Sequence, residues 1–481
     1  MAFPVVNLRR GVLVWLIPMV WAFSFGLWGI SRQSSVWRDE AATWQVAQRS
    51  TAEIWRMLGN VDVVHGCYYL FMHGLFELFG PSVITLRIPS VLAVGVAASC
   101  VAVIGRRLAG GWAGLAGGLA FVLLPAVQFY LQEGRPYALV AAGAGVSTLL
   151  LVILVQERAR PACWAVYGST IFLCGLLNWL SLMILLAHLA TLIWSRAGRR
   201  VWARWAVASG VAVAGVLPLI LFSREQSAQV SWIPPLTWHM LIGPAVLLLI
   251  GCVAILADRP KVGQLSMVTV GLPLLAVPQI GLVGLSLIQP IFLDRYILFS
   301  LLGLALLIGG SINAAVLASR KIFPWLSNWI LPGAIIVATL ALLPQVLAKK
   351  SPASRVDDVL MVASDVRRMK GSGDAVLFIP SARRDTQSVS PDAFVGLQDI
   401  ALAETPEMSG TLKGVEKEPG QIRDVMLTHQ RIMLVTDAAN VARPVTANRD
   451  RVKMSVLEKY FTVVADEQVR GRRVTVYVRQ G

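Results

Sequence analysis

Two adjacent acids, Asp39 and Glu40 in the run Ser35-Val36-Trp37-Arg38-Asp39-Glu40, lie just beyond an uncharged apolar stretch at residues 11–31. That stretch has the length of a bilayer-crossing helix, roughly 20 residues, so the carboxylates emerge at a membrane face. A carboxylate pair at that depth can do acid/base chemistry on a lipid-borne substrate. Taken alone, the pair also reads as a solvated loop that happens to carry two acids.

Three further groups reach the same face once the spans are laid out. One is the turn Gln132-Glu133-Gly134-Arg135-Pro136-Tyr137, another is Phe292-Leu293-Asp294-Arg295-Tyr296, and the third is His65. Together they offer carboxylates and two guanidiniums, the groups suited to bidentate recognition of a phosphate. This assortment fits transfer of a group from a lipid phosphate. A base takes the proton of the attacking hydroxyl while cations stabilise charge on the departing phosphate, and no separate nucleophile is needed. Each residue also has a structural reading. Glu133 and Arg135 can pair to close a turn, Arg295 can anchor a helix at the headgroups, and His65 can be a simple hydrogen-bonding partner. Arg87, inside the start of the second span, snorkels or meets an acid of the first loop.

The elements that must position these groups are membrane helices. A chain of 481 residues with 56% hydrophobic and 15% charged residues and a mean hydropathy of +0.66 is a polytopic membrane protein. Apolar runs bounded by charge, Pro or Gly predict about eleven spans. They fall near residues 11–31, 82–104, 110–131, 136–155, 162–178, 179–195, 205–222, 238–257, 265–288, 296–318 and 329–347. Basic clusters (Arg9/Arg10, Arg106/Arg107, Arg158/Arg160, Arg196 to Arg204, Arg259/Lys261, Arg320/Lys321) stand at every second junction, which makes those ends cytoplasmic. Of the acids before residue 350, only Glu157 and Asp258 fall on that side. The amino terminus is then inside and the carboxyl-terminal tail outside, with Lys349 and Lys350 a mild exception to the charge rule.

The net charge of +16 is mostly topogenic, because acids and bases nearly balance in the tail. No basic stripe with interleaved aromatics is present, which argues against nucleic acid and for attraction to anionic headgroups. The five cysteines show no ligand spacing, and the tail has none, so neither a zinc site nor a disulfide framework is indicated. The first apolar run lacks a small-x-small cleavage site and reads as an uncleaved span.

The predicted division is a transmembrane domain, 1–350, containing a first outer loop at 32–81, followed by a small extracytoplasmic α/β domain, 351–481. Within the loop, 41–58 reads as one amphipathic helix and 67–79 as a second, aromatic one lying on the membrane. In the tail the pattern predicts a helix over 357–369, strands at 375–379 and 431–436, a helix over 451–461 and a terminal hairpin. A two- or three-layer sandwich suits these elements, with 380–421 as a loop-rich insertion. The tail contains no phosphate loop, triad or metal cluster, and acceptor binding and simple stabilisation are both compatible with it.

The motifs then reach a resemblance. Trp37-Arg38-Asp39-Glu40, Val64-His65-Gly66-Cys67-Tyr68-Tyr69, Leu86-Arg87-Ile88-Pro89-Ser90, Tyr130-Leu131-Gln132-Glu133-Gly134-Arg135-Pro136-Tyr137 and Asp294-Arg295-Tyr296 follow in order with consistent sidedness. The chain resembles the GT-C membrane glycosyltransferases, most closely the family 39 protein O-mannosyltransferases and the bacterial lipid A aminoarabinose transferases. The resemblance covers about the first 140 residues and returns at Arg295. It implies a metal-optional, inverting transferase using a polyprenyl-phosphate sugar at the outer face, so a divalent metal is compatible but not required. Asp39 would match the catalytic base and Glu40 its acidic neighbour. Arg135 would match the arginine that holds the lipid phosphate, supported by Glu133. The chain departs from the usual His-Pro-Pro with His65-Gly66-Cys67 and from Glu-Ala-Arg-Pro with Glu133-Gly134-Arg135-Pro136. These glycines loosen the backbone while keeping the key side chains.

The reading that follows is a bacterial inner-membrane glycosyltransferase. It moves a sugar, mannose first, from a polyprenyl phosphate to a hydroxyl of an extracytoplasmic protein, glycan or glycolipid. Asp39 and Glu40 form its catalytic pair, and Arg135, Glu133, Arg295, His65 and Tyr137 contact lipid phosphate and sugar. The rival is a transporter or flippase of a lipid-linked sugar, which requires polar groups near the midplane. Asn178, Ser181, His188 and Gln279 are the candidates for that role. A transferase-like scaffold without catalysis is the third reading.

Overall fold

A computed structural model describes residues 4–32, 34–157, 160–226, 232–257 and 263–480. Arg158, Asp258, Arg259 and Lys261, which contribute to the predicted sidedness, lie outside the described residues. The chain forms two compact units. One comprises Met1–Trp28 and Arg87–Lys349, the other Gly29–Leu86 and Lys350–Gly481. The first outer loop thus belongs to the same unit as the carboxyl-terminal segment, a different division from one at residue 350.

The first unit is helical throughout its regular structure, with helices over each of the expected spans. Among the described residues, seven helices are long and apolar enough to cross a membrane, and the apolar helices Gly11–Leu27, Gly111–Leu123, Pro161–Leu177 and Trp179–Trp194 are shorter. The apolar segments of Arg199–Glu225 and Ile330–Lys350 are only 17% and 11% buried within the protein. Surfaces so apolar need lipid to cover them, which makes this a membrane protein. Glycines bring the central helices together. Gly303 lies against the backbone of Gly271, and Gly309 against that of Gly117, where any side chain would collide.

The third expected span is broken. Leu124 adopts φ −60°, ψ 129° ahead of Pro125, because a residue before proline is pushed out of the helical region. The helix Gly111–Leu123 therefore stops, and a short helix, Pro125–Tyr130, leads into the turn that carries Glu133 and Arg135.

The second unit is built on a five-stranded sheet. Its strands are β1 (Ala375–Ile379), β2 (Gln398–Asp399), β5 (Arg431–Asp437), β6 (Phe461–Val469) and β7 (Arg472–Arg479), in the order β2-β1-β5-β7-β6. Strands β3 (Leu402–Glu404) and β4 (Val415–Glu416) form a separate antiparallel pair. Strand β1 runs parallel to both neighbours, whereas β7 pairs antiparallel with β5 and β6. Alternate residues of β1 and β5 point to opposite faces. Leu377, Ile379, Ile432 and Leu434 join the helices Pro419–Met426 and Asn448–Tyr460, while Val376, Phe378, Met433 and Val435 join Val359–Met369. Burial on both faces explains the unbroken apolar runs and makes the sandwich three-layered. Gly471 closes the terminal hairpin with φ +77°, a left-handed turn position that glycine takes without strain.

Two expectations are corrected. The segment 380–421 is a succession of short helices and strands rather than loop. The single helix expected over 41–58 is two, Arg38–Ala47 and Thr51–Asn60. Ser50 caps the second by accepting from the Glu53 N–H, and the Glu53 carboxylate accepts from the Ser50 N–H in return. The serine and glutamate three residues apart were a helix-start signal inside an apparently continuous pattern.

Candidate active site

In the second unit, Asp39 and Glu40 occupy the first turn of the helix Arg38–Ala47, where the helix dipole favours negative charge. Neighbouring helix positions point about 100° apart, so the two acids diverge. Glu40 is fully buried and accepts from Arg32 Nη2 at 3.2 Å to each oxygen, and both side chains are shielded from solvent. Asp39 is partly exposed. The acid pair is therefore one anchored carboxylate and one that reaches the surface.

The start of this helix is held from far along the chain. Asp357 accepts from the Arg38 backbone N–H at 3.0 Å and from Arg38 Nε at 3.1 Å. The same carboxylate accepts from Arg472 Nε at 3.0 Å, and Arg472 grips Asp385 through two bonds of 2.7 Å. Burial pushes the Asp357 carboxyl up, but the Arg472 and Arg38 guanidiniums and the Arg38 N–H outweigh it and hold it below the usual carboxylate range. The Val359 N–H also donates to the Val36 carbonyl at 2.7 Å, fixing the approach to the helix. Arg32, Arg38, Asp357 and Arg472 were not singled out as site residues in the sequence, although Arg38 stands in the Trp37-Arg38-Asp39-Glu40 motif and Asp357 at the expected start of a helix.

His65 ends a short 3-10 turn, Val63–His65. Its Nε2 is 3.9 Å from Asp62, and its ring stands edge-on to Tyr69, whose hydroxyl bonds to Asp62. These contacts give His65 a structural setting.

In the first unit, the turn after Pro125–Tyr130 brings several predicted residues together. Gln132 Nε2 donates to the carbonyls of Gly26 and Trp28, each at 2.8 Å, and Ser90 Oγ donates to the Glu133 carbonyl at 2.5 Å. Glu133 and Arg135 are buried, and Arg87, also buried, sits three residues before Ser90 on the same helix. Tyr137 opens the next helix and packs edge-on against Tyr130 and near Tyr296. The Arg295 guanidinium lies 5.7 Å from the ring centres of Tyr137 and Trp232 and 5.9 Å from that of Tyr296. Arg295 and Tyr137, distant in sequence, thus form one aromatic-lined cationic cluster beside the Arg135 turn. Such a cluster can hold a phosphate while the rings hold the cation.

Three of the four polar candidates of the central spans close on protein partners, whereas the fourth, Ser181, has a buried Oγ with no hydrogen-bond partner among the described residues. His188 bonds to Thr148 and Tyr167, Gln279 to Ser300, and Asn178 to the Leu180 N–H and the Tyr296 carbonyl. A cavity of about 750 Å³ between Pro161–Leu177 and Arg199–Glu225 is walled by residues such as Trp164, Phe172 and Val211, with Arg204 near one end. Its lining suits a lipid chain, but it opens beside Pro161, at the far end of Tyr137–Gln156 from the Arg135 turn. Among the described residues no group of three or more His, Cys, Asp or Glu side chains converges as metal ligands. With Glu40 bound to Arg32, the acid pair does not present two carboxylates to one cation.

No protein-family model and no curated protein matches the chain. Solved structures do. ArnT from Cupriavidus metallidurans bound to undecaprenyl phosphate superposes with a TM-score of 0.57 at 13% identity, covering 97% of each chain. The Archaeoglobus fulgidus oligosaccharyltransferase in its apo form gives 0.54 at 10% identity, over 98% of this chain and 74% of that one. The archaeal AglB in complex with an inhibitory peptide and a dolichol-phosphate gives 0.51 at 10% identity, over 97% and 74%. The chain has the fold of the GT-C membrane glycosyltransferases.

Proposed function

We propose that this protein transfers a sugar from a polyprenyl phosphate to an acceptor hydroxyl on the outer face of a bacterial inner membrane, with inversion at the anomeric carbon. Asp39 takes the proton of the acceptor hydroxyl. The acceptor oxygen attacks the anomeric carbon as the bond from that carbon to the phosphate oxygen breaks, and the electron pair leaves with the phosphate. Arg135 and Arg295 stabilise the charge that develops there, with Glu133 supporting Arg135 and Tyr137 supporting Arg295. Glu40 keeps the first turn in place through Arg32.

The observation that carries this reading is the divergence of the acid pair, a buried Glu40 on Arg32 beside a partly exposed Asp39 at a helix start. The similar structures bound to undecaprenyl phosphate and to a dolichol-phosphate support a lipid-phosphate donor. The satisfied hydrogen bonds of His188, Gln279 and Asn178 favour transfer over transport, since a permeation path needs polar groups that can turn to cargo.

Mannose is the first sugar to test. Membranes carrying the wild type should transfer label from polyprenyl-phosphate mannose to a mixed pool of extracytoplasmic acceptors. Asp39→Asn should lower the rate by about 10²–10⁴, the usual worth of a general base, and leave binding of polyprenyl phosphate nearly intact. Equal loss of transfer and binding would make Asp39 structural. If no donor supports Asp39-dependent transfer across a panel of lipid-linked sugars, the reading fails.

A further inference from the structure

The second unit holds another site. A cavity of about 350 Å³, at the lower end of ligand-pocket sizes of about 300–1,000 Å³, lies between the loop helices and the short elements after β1. Arg49 reaches it from the link between Arg38–Ala47 and Thr51–Asn60 and is 4% exposed. Its Nη2 donates to the Thr411 carbonyl at 2.9 Å, while Nε and Nη1 are buried with no hydrogen-bond partner among the described residues. Gln45, on the same wall, is 7% exposed, and its Oε1 is likewise buried with no partner. Unmatched buried polar atoms are costly, about 1–3 kcal/mol each, so two residues that carry them on the wall of one cavity call for a ligand.

The mixture of groups identifies its chemistry. Arg49 offers donors and Gln45 an acceptor, and Gln48, Gln387 and Ser388 add groups that both donate and accept. An anion would meet the Gln45 oxygen and the carboxylates of Glu53 and Glu407, which also line the cavity. The second guanidinium, Arg384, is already taken by Asp399 and Glu416. A cation would meet Arg49. A hydroxyl both gives and accepts a hydrogen bond and carries no charge, so it can satisfy Arg49 and Gln45 together.

We propose that this cavity binds a neutral polyhydroxylated group, a sugar unit of the acceptor. Its assignment to the acceptor rests on the transferase reading above, whereas sugar binding itself does not. The test is saturation-transfer NMR on the full-length protein with a panel of neutral hexose and pentose disaccharides, and inorganic phosphate as competitor. At least one disaccharide should bind. Gln45→Leu and Arg49→Met should each weaken it at least tenfold, phosphate should not displace it, and Asp39→Asn should bind as the wild type does. Gln45→Leu removes no hydrogen bond to the protein through Oε1, so its unfolding temperature should match the wild type's and separate a lost ligand contact from a lost fold. Absence of binding across the panel, displacement by phosphate, or undiminished binding in both variants would overturn the proposal. Absence of transfer from every lipid-linked sugar tried would sink the transferase reading and leave the binding result standing.

Discussion

Arginine is held in two ways in this protein. In the helical unit, Arg295 lies among the rings of Tyr137, Tyr296 and Trp232. In the other unit, Arg472, Arg38 and Arg32 are gripped by the carboxylates of Asp357, Asp385 and Glu40. A ring face engages the flat side of a guanidinium and does not consume its in-plane donors, whereas a bidentate carboxylate does. Under the proposed transfer, the first arrangement suits an arginine that meets a phosphate, the second an arginine that holds a backbone still.

This contrast can be broken most forcefully at Arg32 and Glu40. Glu40→Gln removes the carboxylate charge from the buried ion pair with Arg32 and should cost about 3–5 kcal/mol of stability. The double variant Arg32→Met/Glu40→Met should recover much of that loss, and thermal unfolding of both proteins would check it. Equal destabilisation by the two variants would mean that the pair matters for packing rather than charge.

A smaller effect is expected at Asp357, because Arg472 retains Asp385 when Asp357 is changed. Asp357→Asn should cost about 1–3 kcal/mol and lower the transfer rate by loosening the start of the Asp39 helix. Its carboxyl is lowered on folding, so its contribution is fully present above the unfolded value of about 3.9 and is lost as the pH falls through the folded value. Unfolding temperatures measured between neutral and acid pH should therefore converge for wild type and Asp357→Asn at the acid end. Parallel curves would remove Asp357 from the acid response.

The mildest test lies among the rings. Tyr137→Leu removes one face from Arg295 and should weaken binding of polyprenyl phosphate by about 0.5–2 kcal/mol, with little change in stability. Tyr137→Phe should be nearly silent. A large loss for the phenylalanine variant would shift the role of Tyr137 from its ring to its hydroxyl.

The spans were legible because lipid-facing helices must be apolar along their length, and the aromatic helix Gly66–Phe79 was legible from its composition. Strands β1 and β5 could be read from their apolar runs, since both faces are covered. The break at Ser50 was written in its capping pair yet hidden by a hydrophobic period that runs on through it. The partners of Arg38 and Glu40 were not legible. Asp357 stands 319 residues from Arg38, and Arg32 belongs to no spaced motif, so only the folded chain reveals them. The 380–421 segment looked polar because Arg383, Arg384 and Asp385 are charged, but ion pairs let them be buried.

The long reach from Arg38 to Asp357 has a consequence for biosynthesis. The loop bearing Asp39 is completed early in translation, while the carboxylate that steadies its helix leaves the ribosome 319 residues later. At about 5–20 residues per second, that interval is on the order of 15–60 seconds. During it the newly made chain has its loop but not the clasp, so the helix that carries Asp39 is completed last although it is encoded first.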